Sequence, residues 1–227
     1  MLNLVSNNTV VATQSFNKSR TLSMDVYSVS QDGRAEVESF IKHGFQKSYK
    51  ANIEITMPFL LSVSEGKLKA ALGIRSASSP LFIDQYLDLP IHELSLFKSQ
   101  QIKRENIVEI GSLYSNSNRF TIPLFIVTAI SLFFSGFKYM TFAGTSEVIG
   151  IISKAGINCE YLCDARAEQL NTSDDQWGSY YETSPRVVAV SLSEVVQVVD
   201  AHPYYQKLFQ GLTKEIAKVC KSLGACE

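Results

Sequence analysis

The chain has 227 residues, which is enough for one sizeable core or two small ones. Its 21 basic and 22 acidic residues give a net charge of −1, which argues against a nucleic-acid partner and provides no polybasic anchor for acidic lipid. The first residues lack the basic patch and apolar run of a secretory signal, so a cytoplasmic protein is expected. Four cysteines without CxxC spacing and three scattered histidines predict reduced thiols and no metal site.

The first half of the chain predicts a strand, a helix and a hairpin. Residues 1–20 are rich in Asn, Ser and Thr and predict a flexible N-terminal arm. Alternating apolar and polar residues predict a strand over 22–29, and helical spacing of apolar residues predicts a helix over 34–48. A hairpin is expected over 58–75. Residues 79–97 form an acidic and aromatic insertion, expected to hold one or two short helices broken at a proline.

The uncharged run 120–137 could cross a membrane or lie inside the protein. A membrane span needs roughly 20 apolar residues, so this run is at the short limit. Strands predicted over 106–114 and 139–145 flank it, which is the order of a crossover connection over a parallel sheet. We therefore expect a buried helix over about 121–135, capped by Thr121. Membrane contact is the less favoured alternative.

The last part of the chain predicts two strands between helices. A helix over about 147–155 is expected, with Ser146 as its cap. Strands are expected over 157–162 and 186–191, and helices over 195–223 with an interruption near His202 and Pro203.

The succession of elements indicates an α/β (α+β) protein with a mixed twisted sheet and helices on both faces. It is the order of the GNAT acyltransferase fold with an insertion at 79–97 after the third strand. Residues 21–192 are expected to form this GNAT-like domain, and 193–227 a C-terminal helical extension.

Several stretches resemble the bacterial thermostable hemolysin family. They are LFIDQYLD at 81–88, VEIGSL at 108–113 and the apolar helix that follows. The resemblance covers about 45–192 and includes ALGIR at 71–75 and the region around Trp177. Such families are named after a lytic phenotype, so the resemblance also implies a membrane-active hemolysin as an alternative function.

The same residues are similar, more distantly, to acyl-homoserine-lactone synthases, which share the GNAT fold. Those enzymes carry a strand end with glycine and then arginine, matched here by Gly73 and Arg75. They also carry a strand glutamate shortly before a small residue, matched here by Glu109 and Ser112. The resemblance implies acyl transfer from acyl-CoA or an acyl carrier protein to a small amine. The synthases' N-terminal arginine, tryptophan and acidic cluster have no clear counterpart, which argues against adenosylmethionine as a substrate.

The loop before the apolar helix is the expected donor site. In acyltransferases of this fold the strand before the helix splays from its neighbour, the pantetheine arm lies in the gap, and amides at the helix start receive the pyrophosphate. The matching residues are Ser115, Asn116, Asn118 and Arg119. The loop has no glycine, which makes close approach of a pyrophosphate harder, and a carrier protein with a single phosphate would demand less. The alternative is a helix-capping loop with a solvated arginine.

Glu109 is the candidate general base, because a buried carboxylate has a raised pKa and could take a proton from an amine. The alternative is a salt bridge with Arg75 on the neighbouring strand, and the two roles are compatible. Asp84, Tyr86 and Asp88 could hold a cationic amine, or they could form a solvated helix face.

The remaining expected substrate-binding residues are Ser112, Trp177 and Tyr180. Trp177 and Tyr180 could line an acyl pocket, or they could fix a long loop. A non-catalytic ligand-binding relative of the GNAT enzymes is the third hypothesis, because the loop lacks the usual glycines.

Overall fold

The computed structural model describes residues 22–170 and 176–223, so the predicted arm 1–20 lies outside the described residues. The described strands are β1 (Ser23–Ser28), β2 (Phe59–Ser64), β3 (Leu68–Ser76), β4 (Ile107–Ser115), β5 (Tyr139–Gly144), β6 (Glu160–Asp164) and β7 (Arg186–Ser191). The described helices are α1 (Arg34–Tyr49), α2 (Ser95–Lys98), α3 (Asn118–Phe134), α4 (Ser146–Lys154), α5 (Leu192–Ala201), α6 (Pro203–Gly211) and α7 (Thr213–Leu223).

The strands form one mixed sheet in the order β1-β2-β3-β4-β5-β7-β6. Neighbouring strands are antiparallel except β4 and β5, which are parallel and are joined by the crossover helix α3. One face packs against α3, α4, α5 and α7, and the other packs against α1 and the insertion. The predicted mixed α/β architecture with helices on both faces is confirmed.

Helix α3 lies in the interior of the protein. Twelve of its residues, between Phe120 and Leu132, are buried, and α5 and α7 cover the side that faces away from the sheet. Helix α7 also reaches the edge strand β1, where Lys218 pairs with Asp25. Within the described ranges, no helix combines the length and the apolar character needed to span a bilayer. The prediction that this apolar run is an interior helix is confirmed.

Both helices that follow the parallel strands begin earlier than predicted. Helix α3 starts at Asn118 after the N-cap Ser117, whose carbonyl accepts the N–H of Phe120 at 2.9 Å. The prediction that Thr121 caps this helix was therefore wrong. Thr121 lies within the first turns of α3, and it is buried in the protein. The cap of α4 is Thr145, and not the expected Ser146.

The insertion and the C-terminal helices follow the predicted pattern with additional breaks. The insertion contains two 3₁₀ turns, Phe82–Tyr86 and Ile91–Glu93, followed by the short α2. The C-terminal helices are interrupted at His202, as predicted, and again at Leu212, which the sequence did not indicate.

Candidate functional site

Strands β4 and β5 separate soon after they begin to pair. Pairing covers three residues of each strand and ends where Glu109 faces Thr141. The rest of β4 and β5 diverges, which opens a gap in the middle of the sheet. The gap lies at the carboxyl ends of two parallel strands, where open α/β sheets usually bind ligands.

A bulge in β4 lies directly beyond the split. Ala71 of β3 pairs with Tyr114 and Gly73 pairs with Gly111, so two residues of β4 lie opposite one residue of β3 between these positions. One of them, Ser112, has a φ of 50°. A bulge bends its strand and leaves backbone groups outside the ladder, and here it does so at the wall of the gap.

A cavity of about 320 Å³ passes through the gap. On the side of α3 and α4 it has an apolar end, lined by Ile110, Phe125, Phe142, Val148 and Ile152. On the side of α1 and the insertion it has an aromatic end, lined by Phe45, Tyr49, Phe82, Tyr86, Trp177 and Tyr180. The split therefore joins two compartments of different chemistry.

Glu109 lies at the junction of the two compartments. Its side chain is 2% exposed, and its carboxylate accepts the N–H groups of Phe82 at 2.9 Å and Ile83 at 3.0 Å. Burial raises the pKa of Glu109 to about 7, although the Phe82 amide, the Arg75 charge and the Ile83 amide lower it. The carboxylate fixes the insertion to the sheet and also titrates near neutral pH.

Arg75 faces Glu109 on the neighbouring strand, as predicted. Its Nη1 lies 3.6 Å from Oε2 of Glu109, and its Nη2 donates to the carbonyl and hydroxyl oxygens of Thr56 at 2.8 and 2.9 Å. The predicted ion pair is confirmed, whereas the general-base role of Glu109 stays a prediction.

The floor of the cavity is formed by Met57 lying over two facing glycines. A Cβ atom on Gly73 would lie 2.2 Å from Cγ of Met57, and a Cβ atom on Gly111 would lie 2.4 Å from its Cε. Any side chain at either position would therefore displace Met57, which lines the cavity.

The aromatic end depends on a loop that lies directly against the end of α1. The ring of Trp177 lies 5.4 Å from that of Tyr180, which in turn lies 5.3 Å from Tyr49. The N–H of Ser179 donates to the carbonyl of Tyr49 at 2.8 Å. Gly178 has a φ of 51°, and a Cβ atom there would lie 2.1 Å from the same carbonyl oxygen. The backbone contact therefore requires glycine.

The predicted donor-binding residues lie at the end of β4, in the short connection after it and in the first turn of α3, and all four are outside the cavity lining. They are Ser115, Asn116, Asn118 and Arg119. The Ser115 hydroxyl donates to the Ser117 carbonyl at 2.8 Å, and the Asn116 N–H donates to the Lys69 carbonyl at 2.9 Å. Arg119 forms an ion pair with Glu65 at 2.7 Å.

The predicted substrate-binding residues divide between the cavity and the surface. Those that line the cavity are Ser112, Tyr86, Trp177 and Tyr180. The hydroxyl of Tyr86 lies 2.5 Å from that of Tyr181, and burial raises the pKa of Tyr86. Asp84 instead pairs with Arg104 at 2.5 Å, and Asp88 is exposed outside the lining.

Sequence reasoning missed the segment between α1 and β2. Glu54, Thr56 and Met57 all line the cavity, yet this segment has no periodic pattern and no motif. It also missed 142–145, which could have been found because the carboxyl end of a parallel strand is a common ligand site.

A family model described as Thermostable hemolysin matches residues 27–196, which is most of the chain. The chain belongs to the thermostable hemolysin family. No curated protein sequence matches it. Among solved structures, this thermostable hemolysin family member is similar to several synthases.

The acyl-homoserine lactone (AHL) synthase LasI is 9% identical with a TM-score of 0.52, covering 76% of this chain and 91% of that chain. BjaI, a CoA-dependent acyl-homoserine lactone synthase solved with SAM and isopentyl-CoA, is 9% identical with a TM-score of 0.51, covering 79% and 88%. FeeM, an N-acyl amino acid synthase from uncultured soil microbes, is 12% identical with a TM-score of 0.50, covering 82% and 98%. These similarities show the fold, which is GNAT-like.

Proposed function

We propose that this protein transfers an acyl group from a thioester to a small amine. The observation that supports the proposal best is the cavity at the β4–β5 split, with Glu109 buried at its junction. The apolar end suits an acyl chain, and the aromatic end, with a carboxylate beside it, suits an amine. The synthase names of the structural neighbours favour the same reaction class.

The chemistry requires the amine to lose a proton as it attacks. The amine nitrogen forms a bond to the thioester carbonyl carbon, the C–S bond breaks, and the thiolate leaves and is protonated. Glu109 takes the proton from the amine. Its Oε1 accepts only the Ile83 N–H and keeps a second lone pair for this proton, whereas Oε2 accepts the Phe82 N–H and also faces Arg75. We propose that backbone N–H groups of the bulge at Ser112 stabilise the carbonyl oxygen, because the bulge interrupts the β3–β4 ladder at the wall of the gap.

Charges near the start of α3 favour a carrier protein over CoA as the donor. The Arg119 guanidinium is paired with Glu65, whose side chain is 14% exposed. A diphosphate at the helix start would have to displace or oppose this carboxylate, whereas the single phosphate of a carrier protein arm brings less negative charge.

The Glu65→Gln variant should therefore improve the use of acyl-CoA. Removal of the carboxylate frees Arg119, and we expect the KM for acyl-CoA to fall roughly two- to fivefold, the range of an exposed ion pair. The KM for acyl carrier protein should change less. Steady-state kinetics with both donors measure the effect, and Glu105→Gln is the matched surface control. An unchanged KM for acyl-CoA would show that Arg119 does not contact the donor.

Acyl-chain length should be set at the apolar end. Val148 is half-buried on α4 and lines this end, so Val148→Phe reduces the space for the chain. Each methylene that is no longer buried lowers the preference for a longer chain by about fourfold, at roughly 0.8 kcal/mol per CH₂. Competition between donors of increasing chain length measures this shift. Val198→Phe, also half-buried but outside the cavity, should leave the preference unchanged.

The proposal itself is tested by thiol release from acyl-CoA and acyl carrier protein with a broad panel of amines. Thiol release that depends on the amine, with the N-acyl product identified by mass, would support it. The proposal is lost if both donors stay intact across the panel and neither binds. Binding of a donor without turnover would instead favour the non-catalytic alternative. The hydrogen bonds from the Phe82 and Ile83 N–H groups to Glu109 also fit that alternative, because they give the carboxylate a structural role.

The family description gives the membrane-active alternative its support. The burial of α3 between the sheet and the C-terminal helices opposes it. We expect purified protein without substrates to release no dye from liposomes. Dye release at low concentration, together with labelling of α3 by a lipid-soluble reagent, would favour the membrane-active alternative.

A further inference from the structure

The charged groups of the cavity are all acidic. Among the described residues, its lining includes the carboxylates of Glu109 and Glu54 and no Lys, Arg or His. Arg75 lies beside Glu109, but its guanidinium is held by Glu109 and by oxygens of Thr56 and Pro80.

This charge distribution disfavours a carboxylate on the acceptor. A substrate carboxylate would lie near Glu109 and Glu54 in a partly desolvated cavity, with no lining cation to pair with it. Like charges that are removed from water repel strongly, and an unpaired buried anion is costly. An amino acid acceptor would meet this penalty, whereas an amine without a carboxylate would not.

The aromatic end adds an attraction for organic cations. Trp177 lies 5.5 Å from Phe82 and 6.4 Å from Phe45 between ring centroids, so several rings surround one space. The faces of Trp and Tyr attract alkylammonium groups. Glu54 lines the cavity and is exposed to solvent, and within residues 22–170 and 176–223 it has no ion pair.

The position of Glu109 sets the geometry of the acceptor. Its carboxylate bonds to the N–H groups of Phe82 and Ile83, so it lies on the side of the aromatic end. An amine that reacts beside Glu109 therefore extends along the rings toward Glu54. We propose that the acceptor is a carboxylate-free amine with a second cationic group, such as an aliphatic diamine, and that the rings and Glu54 bind the second cation. This inference rests on the proposed acyl transfer.

Three amines with the same five-carbon chain test the inference: cadaverine, pentylamine and free lysine. Their binding is measured by calorimetry on the full chain. Trp177, the single tryptophan of the sequence, gives a local fluorescence signal. We expect cadaverine to bind saturably, pentylamine to bind roughly three- to thirtyfold more weakly, as loss of a cation–π contact predicts, and lysine to bind more weakly than cadaverine by at least a similar factor. Acyl transfer rates should follow the same order.

Two variants separate Glu54 from general effects of charge. Glu54→Gln should reduce the preference for cadaverine over pentylamine by about two- to fivefold, the range of an exposed ion pair. Glu93→Gln, an exposed position of the insertion outside the cavity lining, should keep the preference unchanged.

The outcomes distinguish this inference from the proposed function. If lysine or pentylamine binds as tightly as cadaverine, or cadaverine does not bind, the acceptor assignment is overturned, while acyl transfer to another amine would leave the transferase proposal standing. If cadaverine binds in the expected order but no thioester is consumed with any amine, the transferase proposal fails and the cavity is a site for binding diamines.

Discussion

The Glu109→Gln variant is expected to lower kcat by roughly 10²- to 10⁴-fold, the usual contribution of a general base. The neutral amide has nearly the same shape as the carboxylate, but it cannot accept a proton from the attacking amine, and its NH₂ group cannot accept one of the two backbone N–H groups that the carboxylate binds. Thiol release under saturating donor and acceptor measures the loss. Glu105→Gln makes the same chemical change on an exposed side chain and should keep full activity.

The pH dependence identifies the residue behind the effect. The base must be ionised to act, so kcat/KM of the natural protein should rise with pH through about 7, the pKa of Glu109. The Glu109→Gln variant should lose the rise near pH 7. If the variant keeps both its rate and this midpoint, Glu109 is not the base.

Folding gives an independent check on the same carboxyl group. The pKa of Glu109 is raised in the folded protein from 4.5 to about 7, so the folded state binds more protons than the unfolded state between these values. The stabilising contribution of the protonated group is therefore fully present below pH 4.5 and is lost as the pH rises through about 7. The loss is of the order of 3 kcal/mol. Urea unfolding across this range should show the decrease in the natural protein and a smaller decrease in Glu109→Gln.

The Gly178→Ala variant is expected to destabilise the fold by roughly 2–4 kcal/mol, because backbone strain and a steric clash act together. Its φ is 51°, and the added Cβ atom would lie 2.1 Å from the Tyr49 carbonyl oxygen and 2.9 Å from the Lys50 carbonyl carbon. The loop would have to move away from the end of α1, and Trp177 would be displaced from the aromatic end. Urea unfolding measures the loss of stability, and amine binding measures the damage to the aromatic end.

Gly66→Ala is the matched control for this substitution. Gly66 also has a positive φ, 74°, but a Cβ atom there meets nothing within 4 Å. An alanine at this position is therefore destabilised only by the strain of the left-handed backbone, which costs roughly 1–2 kcal/mol. The position is also far from the aromatic end in sequence. Equal losses in the two variants, with amine binding intact in both, would show that the contact with Tyr49 does not hold the loop.

Much of the fold could be predicted from periodicity alone. Alternation and helical spacing gave the order of elements, and the strands around the apolar run indicated that α3 is a buried crossover helix. The pairing of Arg75 with Glu109 was also predictable, because it needs only the order of two adjacent strands.

The candidate site was less predictable because its residues come from irregular segments. Glu54 and Met57 lie in the irregular segment between α1 and β2, where the sequence has no hydrophobic periodicity. They line the cavity because the chain passes beside it on its way from α1 to β2. Asp84 was expected near an amine, but its carboxylate pairs with Arg104, and this long-range contact has no signature in the local sequence. The location of such side chains depends on tertiary packing and not on the propensity of the local sequence.

A crystal structure with a non-hydrolysable thioether analogue of an acyl-pantetheine donor would show whether the gap between β4 and β5 is the acyl site. We expect the acyl chain to pass between these strands beyond Glu109 and Thr141 and to end beside Phe142 in the apolar end. An analogue bound elsewhere on the protein, with the gap between these strands empty at saturating concentration, would contradict it.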